Sequence, residues 1–409
     1  MNAETAYLFR HALLRDAAYD LHLPEGRARL HLLAADVLEA LPGAETVLAR
    51  EIAVHLRLAG SESAGASQRA REVRFTKLAA EHADSNYKPR EAVELWQRAG
   101  DLSVTGKADM LRRAGRSALQ AGMPSAEALL RQSLQFATTE GDVQSEAFAC
   151  GSIANLYQQT GRVDEALAFH ERAIEIARGI GTREFEGVQV GNIANLYFRQ
   201  GRLEAAEAAH QRALEIHRQA GSRGNEAVSL GNLAGVLQKL GRNEEAEAHF
   251  KQSISLLQQV GDLRSYAIAM SNYGNFLADT GRMEESEGML VQALSLVRES
   301  GNRRFEGNVL GSLGLLHSLT GRVRTGVGLL AQACAIHEEV QNWANLVRHG
   351  LNLALGEVSL GDTGAALTRW RHAADHARRY GYHSIVDEIL PDMQQACAMA
   401  GVPPPDSGP

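Results

Sequence analysis

Glycine recurs in this 409-residue chain with a period of 40 and no insertion: Gly161, Gly201, Gly241, Gly281, Gly321 and Gly361 share one column. A second column holds Gly141, Gly181, Gly221, Gly261 and Gly301, is broken by Gln341 and resumes at Gly381. Columns of small residues run in the same register. One reads Ala154, Ala194, Ala234, Gly274, Gly314, Ala354; another reads Ala166, Ala206, Ala246, Ser286, Gly326, Ala366; a third reads Ala173, Ala213, Ser253, Ala293, Ala333, Ala373. Strict register over six copies is the mark of a stacked-unit architecture, in which each unit buries its apolar side against its neighbours.

Each unit reads as two helices. In the second copy, Val190, Ile193, Leu196 and Tyr197 recur at about 3.6 residues, which predicts a helix over Glu186–Arg199. Gly201 ends it, because glycine accepts the left-handed backbone that closes a helix. A second helix is predicted over Leu203–Gln219, packing through Ala206, Ala209, Ala213, Leu214 and Ile216. The small columns let two backbones cross closely. No proline lies between Pro124 and Pro391, which suits uninterrupted helices. Gly326 is expected to weaken the second helix of its copy.

The small–aromatic–small–small pattern Ala154, Tyr157, Ala166, Ala173, repeated as Ala194, Tyr197, Ala206, Ala213, resembles the tetratricopeptide repeat (TPR) family. Later copies depart from it, with Leu237, Leu277, His317 and Glu357 in place of the tyrosine. Upstream, Ala126 and Ser133 keep the frame, and Ala92 and Ala99 sit 34 residues earlier. The N-terminal stretch carries Phe9, Arg10, His11, Leu13, Ala18, Tyr19, Arg29 and His31. It reads as two helices broken at Pro24, and it resembles the segment following the ATPase core in STAND-type signalling ATPases. In such proteins a nucleotide-binding core precedes this segment and TPRs follow, so the chain is expected to begin after that core.

The expected fold is therefore all-α, a TPR superhelical solenoid preceded by a short helical module. The expected layout is a helical module over 1–70, two irregular TPR-like units over 71–140 and six 40-residue units over 141–380. A final helix or helical pair over 381–402 would cap the array, followed by a disordered tail over 403–409.

A formal net charge of −7 argues against a general nucleic-acid binder, which needs a basic face for phosphates. Cys150, Cys334 and Cys397 lie far apart without CxxC pairing, which gives neither a disulfide framework nor a zinc site. The chain has no apolar run of transmembrane length, and charges interrupt the N-terminus where a signal peptide would be continuously apolar. A cytoplasmic protein without membrane or nucleic-acid partners is expected.

No catalytic constellation stands out. The nearest approach to a phosphate loop, "GDLSVTGKA" (100–108), has five residues between its glycines where four are needed, and Ala108 where a hydroxyl must hold magnesium. A helix start at Thr105 is the better reading. His170 and His210 share a column with Phe250, Leu290, Leu330 and Trp370, so they read as core residues. His372 and His376 stand at i,i+4 spacing with no third metal ligand nearby. Arg162, Arg202, Arg242, Arg282 and Arg322 follow each turn glycine, and acidic residues two or three positions on suggest local pairing.

The asparagines carry the functional expectation. Asn192, Asn232, Asn272 and Asn352 share one column, and Asn155, Asn195 and Asn275 share another. Asparagine is a mediocre helix former, so its recurrence asks for a reason. The TPR resemblance implies that the first helices line a concave groove, where amides meet the backbone of an extended peptide. The rival explanation is that these amides only bridge neighbouring repeats. Arg199 and Lys239, with Gln158 and Gln238, lie one turn further and would add side-chain specificity; Leu315, Leu319 and Leu355 would make the C-terminal part apolar. The expectation is a non-catalytic scaffold without cofactor or metal, binding a peptide or partner protein in bacterial signalling or regulation. A separate signalling ATPase or cyclase is a candidate partner. The alternative is the small-molecule-sensing TPR arm of a STAND-type regulator.

Overall fold

The computed structural model describes residues 19–60, 65–86 and 88–405. Nineteen complete helices and no strand occur among the described residues. The chain divides into two compact units, Met1–Gly181 and Thr182–Pro409.

In the first unit α1 (Pro24–Glu39), α2 (Ala49–Leu58), α3 (Ala66–Ser85) and α4 (Pro89–Leu102) are followed by α5 (Lys107–Gln120) and α6 (Ala126–Glu140). The pair α7 (Val143–Gln159) and α8 (Val163–Gly179) completes it. Pro24 and Pro89 open their helices, where the missing N–H is not needed. The helix expected to precede Pro24, with Phe9, Arg10, His11, Leu13 and Ala18, lies largely outside the described residues. Tyr19 and His31 are within hydrogen-bond distance (Oη–Nε2 2.9 Å), and His31 meets His55 of α2 through the Nδ1 atoms at 2.8 Å. The helix expected from Thr105 begins at Lys107 instead, because Gly106 takes the left-handed conformation (φ 71°) and sets the turn there.

The second unit opens with α9 (Arg183–Arg199), α10 (Leu203–Gln219), α11 (Arg223–Lys239) and α12 (Asn243–Val260). It continues with α13 (Leu263–Asp279), α14 (Met283–Glu299), α15 (Arg303–Leu319) and α16 (Val323–Glu339), then α17 (Trp343–Ser359), α18 (Thr363–Tyr380) and α19 (His383–Ala400). The first helix of the second copy starts three residues earlier than its apolar periodicity indicates, at Arg183, and its partner matches the expected bounds. Each first helix packs on its own second helix, which packs on the next first helix. The small columns are fully buried at these crossings, as at Ala194, Ala206 and Ala213.

Gly326 corrects an expectation. A β-carbon there would lie 2.3 Å from Ser318 Oγ and 2.6 Å from the Gly314 carbonyl oxygen. The glycine lets α15 and α16 approach, and α16 runs through it unbroken. The turn columns behave as expected, with Gly201 at φ 73°, but Gln341 is held at φ 53° where its siblings have glycine. A side chain in that region costs roughly 1–2 kcal/mol, so Gln341→Gly is expected to raise the thermal midpoint of the chain.

The C-terminal segment forms one helix, His383–Ala400, rather than a pair, with Pro391 on its exposed side. It buries Ile389, Met393 and Cys397 against Trp370 and Leu351, and Val402 joins this cluster. Pro405 is buried, so the part of the expected disordered tail that is described, 403–405, folds back beside α18 and α19. Residues 406–409 lie outside the described residues.

His170 and His210 are core residues, as their column requires. Burial pushes His210 down to about 4. His337 Nε2 and His349 Nδ1 form a second buried set 3.1 Å apart, lowered to about 4 and about 3, in each case chiefly by burial. These rings stay neutral in the fold, whereas the unfolded chain takes up protons below about 6.5. Stability is therefore complete above that pH and falls as pH drops from about 6.5 toward about 4. Urea midpoints at pH 7.5 and pH 5 should show this loss, and His210→Phe should remove part of it.

Candidate functional site

Within the second unit, α9, α11, α13, α15, α17 and α19 touch in succession and form one wall. Residues on this wall that do not face the second helices are the positions left for a ligand. Asn192 and Asn232 are half-buried and Asn272 is exposed; in the other column Asn195 is half-buried and Asn275 exposed. None of these five amides has a hydrogen-bond partner among the described residues, and successive wall helices hold them in the 40-residue register. Gly235 occupies the second column between Asn195 and Asn275, and the space a side chain would fill there is open. In the first unit, Asn155 on α7 presents a similarly exposed amide.

Inter-repeat bridging falls to other asparagines. Asn225 Nδ2 donates to Glu184 Oε1 at 2.8 Å, and Asn345 Nδ2 donates to Asn308 Oδ1 at 2.6 Å. Asn352 differs from its column: its Nδ2 donates to the Arg348 carbonyl at 2.8 Å, which closes it on its own helix. Gln238 Nε2 donates to Asp279 Oδ2 of the next repeat at 2.8 Å.

Charge at the C-terminal ends of the wall helices is mixed, with Asp279 exposed at the end of α13. Arg199 and Lys239 are exposed at the ends of α9 and α11. Arg348 holds Glu388 of α19 through both guanidinium nitrogens at 3.0 and 3.1 Å. That hydrogen bonding keeps the Glu388 carboxyl below its ordinary range, and Lys239, four repeats earlier, adds to the effect. Of the three leucines expected at the apolar end, Leu315 and Leu355 are half-buried against their clusters and Leu319 is 74% exposed.

The arginine column is structural, and it pairs across repeats as well as locally. Arg162 reaches Glu127 at 3.0 Å, Arg242 reaches Glu207 at 2.7 Å, Arg282 reaches Glu247 at 2.7 Å and Arg322 reaches Glu287 at 2.7 Å. Each carboxylate lies 35 residues upstream, on the preceding second helix. The expected local pairs also form, with Glu165, Glu245 and Glu285. Arg282, then Lys251, pulls Glu247 down to about 2. Arg202 has Ala205 and Leu167 at the two acidic positions, and lies instead over the Tyr197 ring at 4.3 Å. His376 is stacked on Trp343 and Tyr380, with His372 against its edge. Among the described residues no three His, Cys, Asp or Glu side chains converge as a metal site. No described helix is long and apolar enough to cross a membrane.

Family models described as tetratricopeptide repeat match residues 149–184, 186–259 and 265–339. These segments are tetratricopeptide repeats. No curated protein matches the chain. Among solved structures, a Rap protein complexed with competence and sporulation factor is 16% identical, with TM-score 0.55 over 81% of this chain and 96% of that one. The apo quorum sensor NprR from B. thuringiensis is 15% identical, with TM-score 0.54 over 86% and 97%. A signal transduction ATPase with numerous domains (STAND) and a TPR sensor, from Pyrococcus horikoshii, is 13% identical with TM-score 0.51. That match covers 84% of this chain and spans 55% of the Pyrococcus protein. At such identities the likeness is one of fold. The TPR array is an all-α solenoid.

Proposed function

We propose that the first-helix wall of the second unit binds an extended peptide segment, with Asn192, Asn195, Asn232, Asn272 and Asn275 hydrogen-bonding its main chain. The observation that carries this reading is five amides held in register with no partner of their own among the described residues. An amide offers a donor and an acceptor, which matches a peptide backbone whatever its side chains. Asn352 is excluded from the core of the site by its bond to Arg348. Arg199, Lys239 and Leu319 share one column at the C-terminal ends of their helices, about one turn beyond the ladder, so they select among side chains. The similar folds include a Rap protein complexed with a competence and sporulation factor and a Rap regulator in complex with the Phr* peptide, which supports a peptide ligand. A role in bacterial signalling is part of the same proposal.

The test is to pan a random linear decapeptide phage library against the full chain and synthesise the enriched sequences. Fluorescence anisotropy should show saturable binding that survives Val291→Asp on α14, away from the wall. Peptides that bind no better than scrambled controls would remove the reading. Gly235→Asn, which fills the gap in the ladder, should tighten binding several-fold.

A further inference from the structure

The N-terminal module carries an apolar face that the repeats do not use. On α1 and its flanks, Leu23, Leu30, Leu33, Val37 and Leu41 are 78, 43, 60, 56 and 45% exposed. The opposite side of α1 is packed: Ala35 is fully buried, and Leu32 and Leu38 lie against Ile52 and Leu56 of α2. A helix apolar on both sides is one that expects a second neighbour. Within the helix, Leu30, Leu33 and Val37 step by three and four residues, as along the seam of a paired helix, and Leu23 and Leu41 stand just outside its two ends.

The stripe is also nearly symmetric about Leu33. Leu30 lies three residues before it and Val37 four after; Leu23 lies ten before and Leu41 eight after. The flanking charges obey the same relation with opposite sign, since Arg29 is four residues before and Asp36 three after. Arg29 is exposed and has no ion-pair partner among the described residues. Asp36 gives one oxygen to Arg71 at 2.7 Å, yet its side chain is 57% exposed.

A two-fold axis beside Leu33 would set two α1 helices antiparallel, apolar residue on apolar residue, and would bring each Arg29 toward the other copy's Asp36. An isologous interface demands this self-complementarity; an unrelated partner would not. We infer that α1 is a homodimerisation helix, pairing antiparallel with α1 of a second copy of this chain. On the helix itself the stripe from Leu30 to Val37 runs about 10 Å.

Light scattering on the full chain at tens of micromolar should give twice the 44.3 kDa of one copy. Leu33→Glu should give the single-copy mass with unchanged helical circular dichroism and melting, because Leu33 touches no core. Val291→Glu, at a residue 52% exposed on α14, should leave the dimer intact. Mild oxidation of Leu33→Cys should yield a covalent dimer, since Cys150, Cys334 and Cys397 are buried. A wild-type chain that stays at the single-copy mass would overturn the inference and assign the stripe to another segment or another protein. A dimer that persists in Leu33→Glu would overturn it equally, by placing the interface elsewhere.

Discussion

Replacing Asn192, Asn232 and Asn272 together with alanine is expected to weaken peptide binding by on the order of 100-fold while leaving the fold intact. Each amide–backbone hydrogen bond contributes about 1 kcal/mol net, so losing three removes roughly 3 kcal/mol. Folding should not change, because none of the three amides bonds to another described residue and alanine is the better helix former. The readouts separate cleanly: anisotropy with a panned peptide reports the loss, and the melting curve should hold or rise. A collapse in melting would return the asparagines to a structural role.

The second large effect concerns one helix and two glycines. Gly326→Ala should destabilise the chain by about 1–3 kcal/mol, the usual penalty for forcing atoms into a filled crossing. The new β-carbon would meet the Gly314 carbonyl oxygen at 2.6 Å, and that atom belongs to a helix backbone that cannot swing aside. Gly328→Ala, two residues along the same helix, meets nothing within 4 Å. It should stabilise by about 0.5–1 kcal/mol through helix propensity alone. Opposite shifts in the urea midpoint are the expected signature. Equal shifts would mean that propensity governs both positions.

Much of the architecture was legible in the amino-acid sequence, because the fold repeats and repetition exposes its own rules. The turn glycines at 40-residue spacing placed the helix ends, and the small columns placed the crossings. What failed was inference from one residue without its neighbour. Gly326 read as a weakness by propensity, and only the approach of Gly314 shows that a larger residue has no room. Glu127, Glu207, Glu247 and Glu287 share a column, so the inter-repeat ion pairs were present as a pattern. Pairing them with arginines 35 residues later needs the stacking geometry.

The asparagines mark the limit of sequence. Asn225, Asn308 and Asn345 bridge repeats, while Asn192, Asn232 and Asn272 are open, and residue type cannot separate the two groups. Both groups lie on first helices, and the position of each along its helix decides it. The N-terminal stripe was missed for a related reason. An amphipathic pattern reports that α1 has apolar positions, whereas exposure reports which of them lack a neighbour.

The most direct measurement is photocross-linking from inside the ladder. Gly235 lies between Asn195 and Asn275 with open space before it, so a benzoylphenylalanine there can reach a bound peptide without disturbing the helices. The expected result is a covalent adduct with a panned peptide from position 235, competed away by unlabelled peptide, and none from the same probe at Val291. Efficient cross-linking from Val291 with none from 235 would contradict binding on the first-helix wall.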